Sequence, residues 1–227
     1  MRTPPGDLDL ESVALVLSER WNIEATSLDY VPLGFGSHHW IAASVDGKKW
    51  FLTADDLRAH HSGEDEETAF ENLTTAFETA AALRDTAGLT WVVGPTATRA
   101  GDPIVRLTNQ FSLAVFPYLD VEPTEFGEFR NLVDRNEAQR LVGRLHNATT
   151  TVPVEPLRHN TLAIPGRDGL HDALRSLDST RKAGPYSEPA RRLLREHAGT
   201  VRNKLRRFDG LAASVTGDTS GWVITHG

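Results

Sequence analysis

The spacing of hydrophobic and polar positions changes period along the first 120 residues. Residues 10–20 show a short helical pattern, and three extended stretches follow, reading SLDYVPLG, HHWIAASV and KKWFLTA. Between the last two, Asp46-Gly47 is the strongest local signal for a β-hairpin. From Glu66 to Arg84, apolar residues recur every three or four positions, which predicts a helix.

Two more strands are predicted after this helix. They are the run LTWVVGPTAT, and then PIVRL turning through TNQ into FSLAVFPYLD. The element order is therefore three strands, one helix and two strands. Because neighbouring strands joined by short turns pair antiparallel, we expect a five-stranded antiparallel sheet with one helix packed on a face.

The second half of the chain has a helical period. Stripes of apolar residues predict helices over residues 132–148, 168–178 and 188–213, and GWVITHG predicts a short final strand. The sequence thus predicts an α+β fold with two domains. These are a β-rich N-terminal lobe of residues 1–119 and a helical C-terminal lobe of residues 120–227.

Composition limits the classes of function. The 227 residues carry a net charge of −7 and no cysteine, so disulfides and thiolate chemistry are excluded. The acidic balance disfavours a nucleic-acid partner. No apolar run approaches the roughly 18–20 residues that cross a bilayer, so we expect a cytoplasmic globular protein without a membrane partner.

Several stretches, in this order, resemble those of a known family. They are PLGFGSHHW between the first two strands, FSLAVFPYLD in the last strand of the sheet, LVGRLHNAT in a helix, and WVITHG at the end. Together they resemble the aminoglycoside phosphotransferase family, which has a protein-kinase-like fold. The resemblance covers nearly the whole chain. It implies an ATP-dependent phosphotransferase that uses Mg²⁺ and acts on a hydroxyl of a small molecule.

The resemblance assigns the loop of Gly34, Phe35, Gly36 and Ser37 to the phosphates of ATP. Glycines let backbone N–H groups approach phosphate oxygens closely. The third glycine of the kinase pattern is missing, and His39 stands in its place. The alternative is a hairpin turn that needs glycine for a positive φ.

The third strand departs from the family pattern. The kinase lysine that contacts the α- and β-phosphates aligns with Thr53, whereas Lys48 and Lys49 lie about 13–16 Å away by strand rise. ATP is therefore held without that ion pair, or another cation supplies the charge, or nucleotide binding is weak. Glu71 is the candidate for the helix carboxylate that usually pairs with the lysine. Its alternative is a solvated helix face.

The resemblance also implies a hinge that binds adenine. Phe116 stands at the back of the adenine pocket, the Pro117 carbonyl accepts from the adenine amino group, and an N–H of Tyr118 or Leu119 bonds a ring nitrogen. Pro117 lacks an N–H, but this position needs only an acceptor. The alternative is a buried strand that ends at proline.

The end of the chain matters for catalysis. His226 begins the family's catalytic loop and has a structural role there, while the following carboxylate and the Mg²⁺ ligands are absent from the sequence. We therefore expect a truncated, inactive form of the enzyme, with exposed apolar faces that favour a homodimer. The alternatives are a non-catalytic kinase-like nucleotide-binding or regulatory module, or an unrelated α+β domain in the N-terminal half.

One further feature is a group of arginines in the last long helix. Its simplest interpretation is a solvated face, and the alternative is a docking surface for an acidic partner. The arginines are Arg191, Arg192, Arg195, Arg202, Arg206 and Arg207.

Overall fold

The structure is a computed structural model. It describes residues 3–33, 36–58, 65–121, 129, 131–153, 162–179, 184–216, 218 and 220–225. The predicted site residues Gly34, Phe35 and His226 lie outside the described residues. The chain divides into two compact units, which we call the sheet unit (Met1–Arg158 with Val223–Gly227) and the helical unit (His159–Trp222).

The sheet unit begins with helix α1, Leu10–Trp21. The Asp9 side chain accepts hydrogen bonds from the backbone N–H groups of Glu11 and Ser12, which the first turn leaves unpaired. At the other end Asn22 adopts a left-handed conformation, with φ 57°, and closes the helix. The helix therefore starts and stops where the sequence provides capping residues.

Five strands form one antiparallel sheet, which confirms the predicted fold class. They are β1 Ala25–Val31, β2 Ser37–Ser44, β3 Lys49–Asp56, β4 Val105–Arg106 and β5 Phe111–Pro117, in the spatial order β1-β2-β3-β5-β4. The Asp46-Gly47 hairpin is also confirmed. Gly47 has φ 81° and its N–H donates to the Ser44 carbonyl at 2.9 Å.

One face of this sheet carries α1 and the main core. Leu17 of the helix is fully buried against alternate residues of the central strands, among them Trp40, Leu52 and Leu113. Because strand side chains alternate between faces, the residues between these point to the opposite side of the sheet. The core thus fixes which strand residues are left for a functional surface.

The predicted strand LTWVVGPTAT is wrong. Residues 89–98 form turns and irregular backbone, and the fourth strand is the two-residue β4. In this run the Thr96 N–H donates to the Val115 carbonyl at 2.6 Å, and the Thr96 carbonyl accepts from Trp21 Nε1 at 2.8 Å. Gly94 and Pro95 interrupt the apolar run, and proline has no N–H to donate to a ladder.

Two more helices complete the sheet unit. Helix α2 spans Glu66–Asp85, as predicted, and Asp65 caps its N-terminus by accepting from the Thr68 N–H. Helix α3 spans Leu132–Asn147 and continues into a 3-10 turn over Ala148–Thr151. Contacts place α3 in the sheet unit. The division into lobes at residues 119 and 120 stays a prediction.

The predicted final strand GWVITHG is wrong over its described residues. Residues 221–225 form no strand, and the Ile224 N–H donates to the Thr149 hydroxyl at 2.9 Å. Ile224 packs with a second apolar cluster that includes Leu83 and Leu145. A β-branched run needs a neighbouring strand to pair with, and here a side chain supplies the acceptor instead.

The helical unit contains α4, Arg167–Arg175, and α5, Ser187–Val215. Its core consists of Leu174 from α4 with Ala198 and Leu205 from α5. The exposed residues of the two helices include many charged ones, among them Asp172, Arg202 and Arg206. Among the described helices of both units, none combines the length and apolar character that a bilayer crossing requires.

Candidate nucleotide-binding face of the sheet

The strand register arranges nine residues in three rows on the face of the sheet opposite α1. We call it the α2 face, because α2 packs against its β4–β5 side. The register runs across β2, β3 and β5. The polar row is Ser37, Asp55 and Ser112; the middle row is His39, Thr53 and Ala114; the apolar row is Ile41, Phe51 and Phe116.

The polar row lies next to the predicted phosphate loop. Gly36 has φ 90°, a conformation that favours glycine, and it leads directly into Ser37. The Ser37 hydroxyl donates to Asp55 Oδ1 at 2.6 Å, and only 3% of Asp55 is exposed. The Ser112 side chain is fully buried and its hydroxyl finds no hydrogen-bond partner among the described residues.

The middle row carries no positive charge at neutral pH. Thr53, which is 9% exposed, stands where the kinase lysine is expected, and its hydroxyl lies 3.4 Å from His39 Nδ1. Burial lowers the pKa of His39, although the nearby Asp55 partly opposes this. His39 is therefore neutral at pH 7.

The lysines of the β2–β3 hairpin lie elsewhere. The Lys49 ammonium sits 5.2 Å from the centre of the Tyr118 ring, and the Lys48 ammonium sits 5.0 Å from that of Trp50. Both aromatic rings attract these cations. These contacts hold the lysines toward the far end of β3, away from Thr53.

The apolar row joins the predicted hinge. Phe116 meets Phe77 of α2 edge to face at 5.5 Å between ring centres, and the ring of His39 stacks on Phe51 at 5.1 Å. Pro117 is the last residue of β5 and pairs with Trp50. The irregular segment that follows contains Tyr118 and the half-exposed Leu119. The residues of the predicted hinge thus lie at or follow the apolar end of the α2 face.

Glu71 is not brought to Thr53 by any described contact. It is exposed on α2 and lies about 200° around the helix from the buried Ala69. Its role stays a prediction. Instead, Arg106 of β4 ties this helix to the sheet: its Nη2 lies 2.8 Å from Glu67 Oε2, and its guanidinium lies over the ring of Phe70 at 4.8 Å.

Sequence reasoning missed both Asp55 and Arg106. Asp55 could have been found, because it follows Thr53 by two residues and strand side chains repeat with that period. Arg106 has no comparable sequence pattern, since its place depends on a strand of only two residues. It shares the α2 face because it pairs with Ser112.

The rows form a gradient along the strands, from polar beside Gly36 to apolar beside Pro117. Such a face can hold a flat apolar ring at one end and a polar group near backbone N–H donors at the other. Among the described residues no cluster of three potential metal ligands exists. The α2 face is suited to bind a ligand by its shape and polarity.

Known proteins resemble this chain in structure rather than in sequence. No family model and no curated protein matches it. Spectinomycin phosphotransferase in complex with ADP and spectinomycin superposes with a TM-score of 0.65 over 95% of this chain and 61% of that chain, at 12% identity. Its AMP-bound complex gives 0.66 over 95% and 62%, at 14% identity.

An aminoglycoside phosphotransferase from Alicyclobacillus acidocaldarius superposes more loosely, with a TM-score of 0.51 over 93% of this chain and 54% of that chain at 14% identity. The chain spans about three fifths of the length of the spectinomycin phosphotransferase, at 61% and 62% in its two complexes. The resemblance stated from the sequence motifs is confirmed at the level of fold: this chain has the kinase-like fold of the aminoglycoside and spectinomycin phosphotransferases.

Proposed function

We propose that the protein to which this chain belongs transfers the γ-phosphate of ATP to a hydroxyl of a small molecule, and that the sheet unit binds the nucleotide. The observation that carries the proposal is the polarity gradient of the α2 face on this fold. In the spectinomycin phosphotransferase of the same fold, ADP and spectinomycin are bound together. The acceptor of this protein is a hydroxyl compound of unassigned class.

Each end of the α2 face has a part in this proposal. Adenine packs on the apolar row, and Phe116 closes the back of its pocket. The Pro117 carbonyl accepts from the adenine amino group, and Tyr118 or Leu119 donates a backbone N–H. The phosphates lie toward Gly36 and Ser37, because glycine lets backbone N–H groups approach phosphate oxygens closely. The Gly34 and Phe35 part of this loop and the loop histidine His226 stay predictions.

Magnesium, which the fold implies, does not fit the described residues. Asp55 is the only carboxylate in the three rows, and one of its oxygens accepts from Ser37. A Mg²⁺ site usually takes one or two carboxylates together with substrate phosphates and several waters. We therefore assign no protein ligand to Mg²⁺ and derive no step through it.

A thermal-shift titration tests nucleotide binding by the chain. A ligand that binds only the folded state stabilises it by about 2.7 kcal/mol at a hundred times its dissociation constant, so Mg-ADP should raise the unfolding temperature in a saturable way. The variant Ile41→Glu places a charge in the apolar row and should abolish the shift. The matched control Val45→Glu changes an exposed residue of the hairpin turn and should keep it.

The result against the proposal is a folded wild-type chain whose unfolding temperature does not respond to Mg-ADP or Mg-ATP. Equal loss of response in both variants would also count against it, because Val45 lies outside the three rows.

A second candidate is a non-catalytic nucleotide-binding or regulatory module. The neutral Thr53 and His39 in the middle row favour it, because no cation there attracts phosphates. The phosphotransferase and the non-catalytic module differ in how much the phosphates of ATP add to its binding free energy. If Mg-ATP binds more tightly than adenosine, the phosphotransferase is supported; equal affinities support the module. The homodimer inferred from the sequence stays a prediction for light scattering to test.

A further inference from the structure

The two units carry opposite charge. Residues 159–222, the helical unit, contain 11 lysines and arginines and 7 aspartates and glutamates, a formal charge of +4. The rest of the chain contains 13 basic and 24 acidic residues, a formal charge of −11. The overall value of −7 therefore conceals a basic helical unit. A local excess of one sign attracts ligands of the other.

The positive charge converges on a concavity between α4 and α5, which we call the arginine pocket. Its volume is about 340 Å³, near the lower end of the range for small-molecule sites. The charged and titratable groups that line it include one carboxylate, so the lining has a formal charge of +3 with the histidine neutral. They are Arg167, His171 and Arg175 from α4, and Arg202, Arg206 and Asp209 from α5.

Two arginines of the pocket are neutralised in place. Arg175 forms an ion pair with Asp172 of its own helix. Arg167 forms two parallel hydrogen bonds with Asp209, at 2.6 and 2.7 Å, and Arg167 Nε donates to His171 Nε2 at 3.3 Å. The hydrogen bond from Arg167 lowers the pKa of the Asp209 carboxyl, which keeps it charged. This pair fixes one wall of the pocket.

Two other guanidinium groups lack a carboxylate partner among the described residues. Arg202 Nη2 donates to the Leu174 carbonyl at 2.9 Å, which holds the side chain across the end of α4. Arg206 donates to the amide oxygen of Asn203. A guanidinium has five N–H donors, so each of these arginines keeps several for a ligand.

The placement of these two arginines lowers the stability of the folded chain when no ligand is bound. Arg202 and Arg206 are four residues apart on α5, where like charges on one helix face repel each other. The buried Leu174 and Leu205 also line the pocket. A bound anion would remove the repulsion.

We propose that the arginine pocket binds the phosphoryl group of an anionic small molecule. A phosphoryl dianion presents three oxygens in different directions, and the guanidinium groups of Arg202 and Arg206, one turn apart on α5, can each meet one or two of them. A cationic amine is repelled by the same groups. The proposal concerns the helical unit alone and does not rest on nucleotide binding by the sheet unit.

Calorimetric titration of the full chain with pyrophosphate tests the proposal. We expect saturable binding at constant ionic strength, and no binding of the cation spermidine. The double variant R202Q/R206Q should weaken pyrophosphate binding by about 100-fold, because two charge-assisted sets of hydrogen bonds are lost. The charge-conserving variant R202K/R206K should weaken it less, since lysine keeps the charge but not the fork of donors.

The matched control is R192Q/R207Q, which removes two charges from exposed positions of the same helix outside the pocket. It should leave the affinity within about twofold. Equal weakening in both double variants overturns the proposal, because it indicates general attraction to the basic unit. Absence of saturable binding to the folded wild-type chain overturns it as well.

Discussion

Replacing Thr53 by lysine tests whether the middle row of the α2 face lies beside the phosphates of a bound nucleotide. Thr53 is 9% exposed and stands between His39 and Ala114 in the sheet. A lysine there would reach along the face toward the end that carries Gly36. Two unit charges about 4 Å apart attract by about 4 kcal/mol at an effective dielectric constant near 20.

The longer side chain must fit a nearly buried position, which costs about 1–3 kcal/mol of folding stability. A second effect reduces the gain in binding. The new ammonium also lies near Asp55, two residues along the strand and about 7 Å away by strand rise, so part of its charge is already compensated. We therefore expect the dissociation constant of Mg-ATP to fall by about 10- to 100-fold rather than by the full Coulomb attraction.

The assay is a calorimetric titration with Mg-ATP and, separately, with adenosine. Thr53→Met is the matched control, because methionine has a similar length without charge. Thr53→Lys should tighten Mg-ATP binding alone, while Thr53→Met should not tighten it. A folded Thr53→Lys protein that binds Mg-ATP no more tightly than Thr53→Met would refute the reasoning that phosphates approach this row.

Three further predictions concern the stability of the sheet unit. Burial lowers the pKa of His38, so the His38 side chain binds a proton more readily in the unfolded chain than in the folded one. Urea unfolding should therefore show the free energy of unfolding falling as the pH drops below about 6.5, and His38→Phe should show a shallower fall. Leu17→Ala should cost about 2–5 kcal/mol in the same measurement, and Leu15→Ala, at a site 60% exposed, less than about 0.5 kcal/mol. A double-mutant cycle on Arg106 and Glu67 should give a coupling free energy of about 0.2–1 kcal/mol, because the Glu67 side chain is 69% exposed. A coupling above about 2 kcal/mol would contradict the interpretation of this contact as an exposed ion pair.

Much of the fold was predictable because local patterns and tertiary packing agree in it. The Asp46-Gly47 turn, the alternation in β2 and β3 and the apolar stripe of α2 each specify one structure without help from distant residues. The failures lie where a pattern is short and its partner is distant. Residues 89–98 and 221–225 are rich in β-formers, yet neither run forms a strand ladder: the Thr96 N–H bonds to the Val115 carbonyl of β5, and the Ile224 N–H bonds to the Thr149 side chain.

The site was predictable in outline only. The glycine loop and the hinge are each continuous in sequence, and the structure brings Gly36 and Pro117 to opposite ends of one face. The rows between them combine residues from three strands, so their gradient exists only once the register is fixed. Glu71 illustrates the limit: the sequence predicts its helix, but the side of the helix that faces the sheet depends on packing against β5, so the role of Glu71 stays a prediction.

The two proposals can fail separately, because they concern different units and different ligand groups. Adenosine has no phosphate, so its binding depends on the apolar row and is unaffected by the arginine pocket. Pyrophosphate has no base, so if the arginine pocket is its site, its binding depends on the arginines of the helical unit. If Ile41→Glu removes adenosine binding and leaves pyrophosphate binding intact, while R202Q/R206Q does the reverse, both sites exist independently. If instead either variant removes the binding of both ligands, one shared site binds them, and the assignment of the phosphoryl group to the helical unit is wrong.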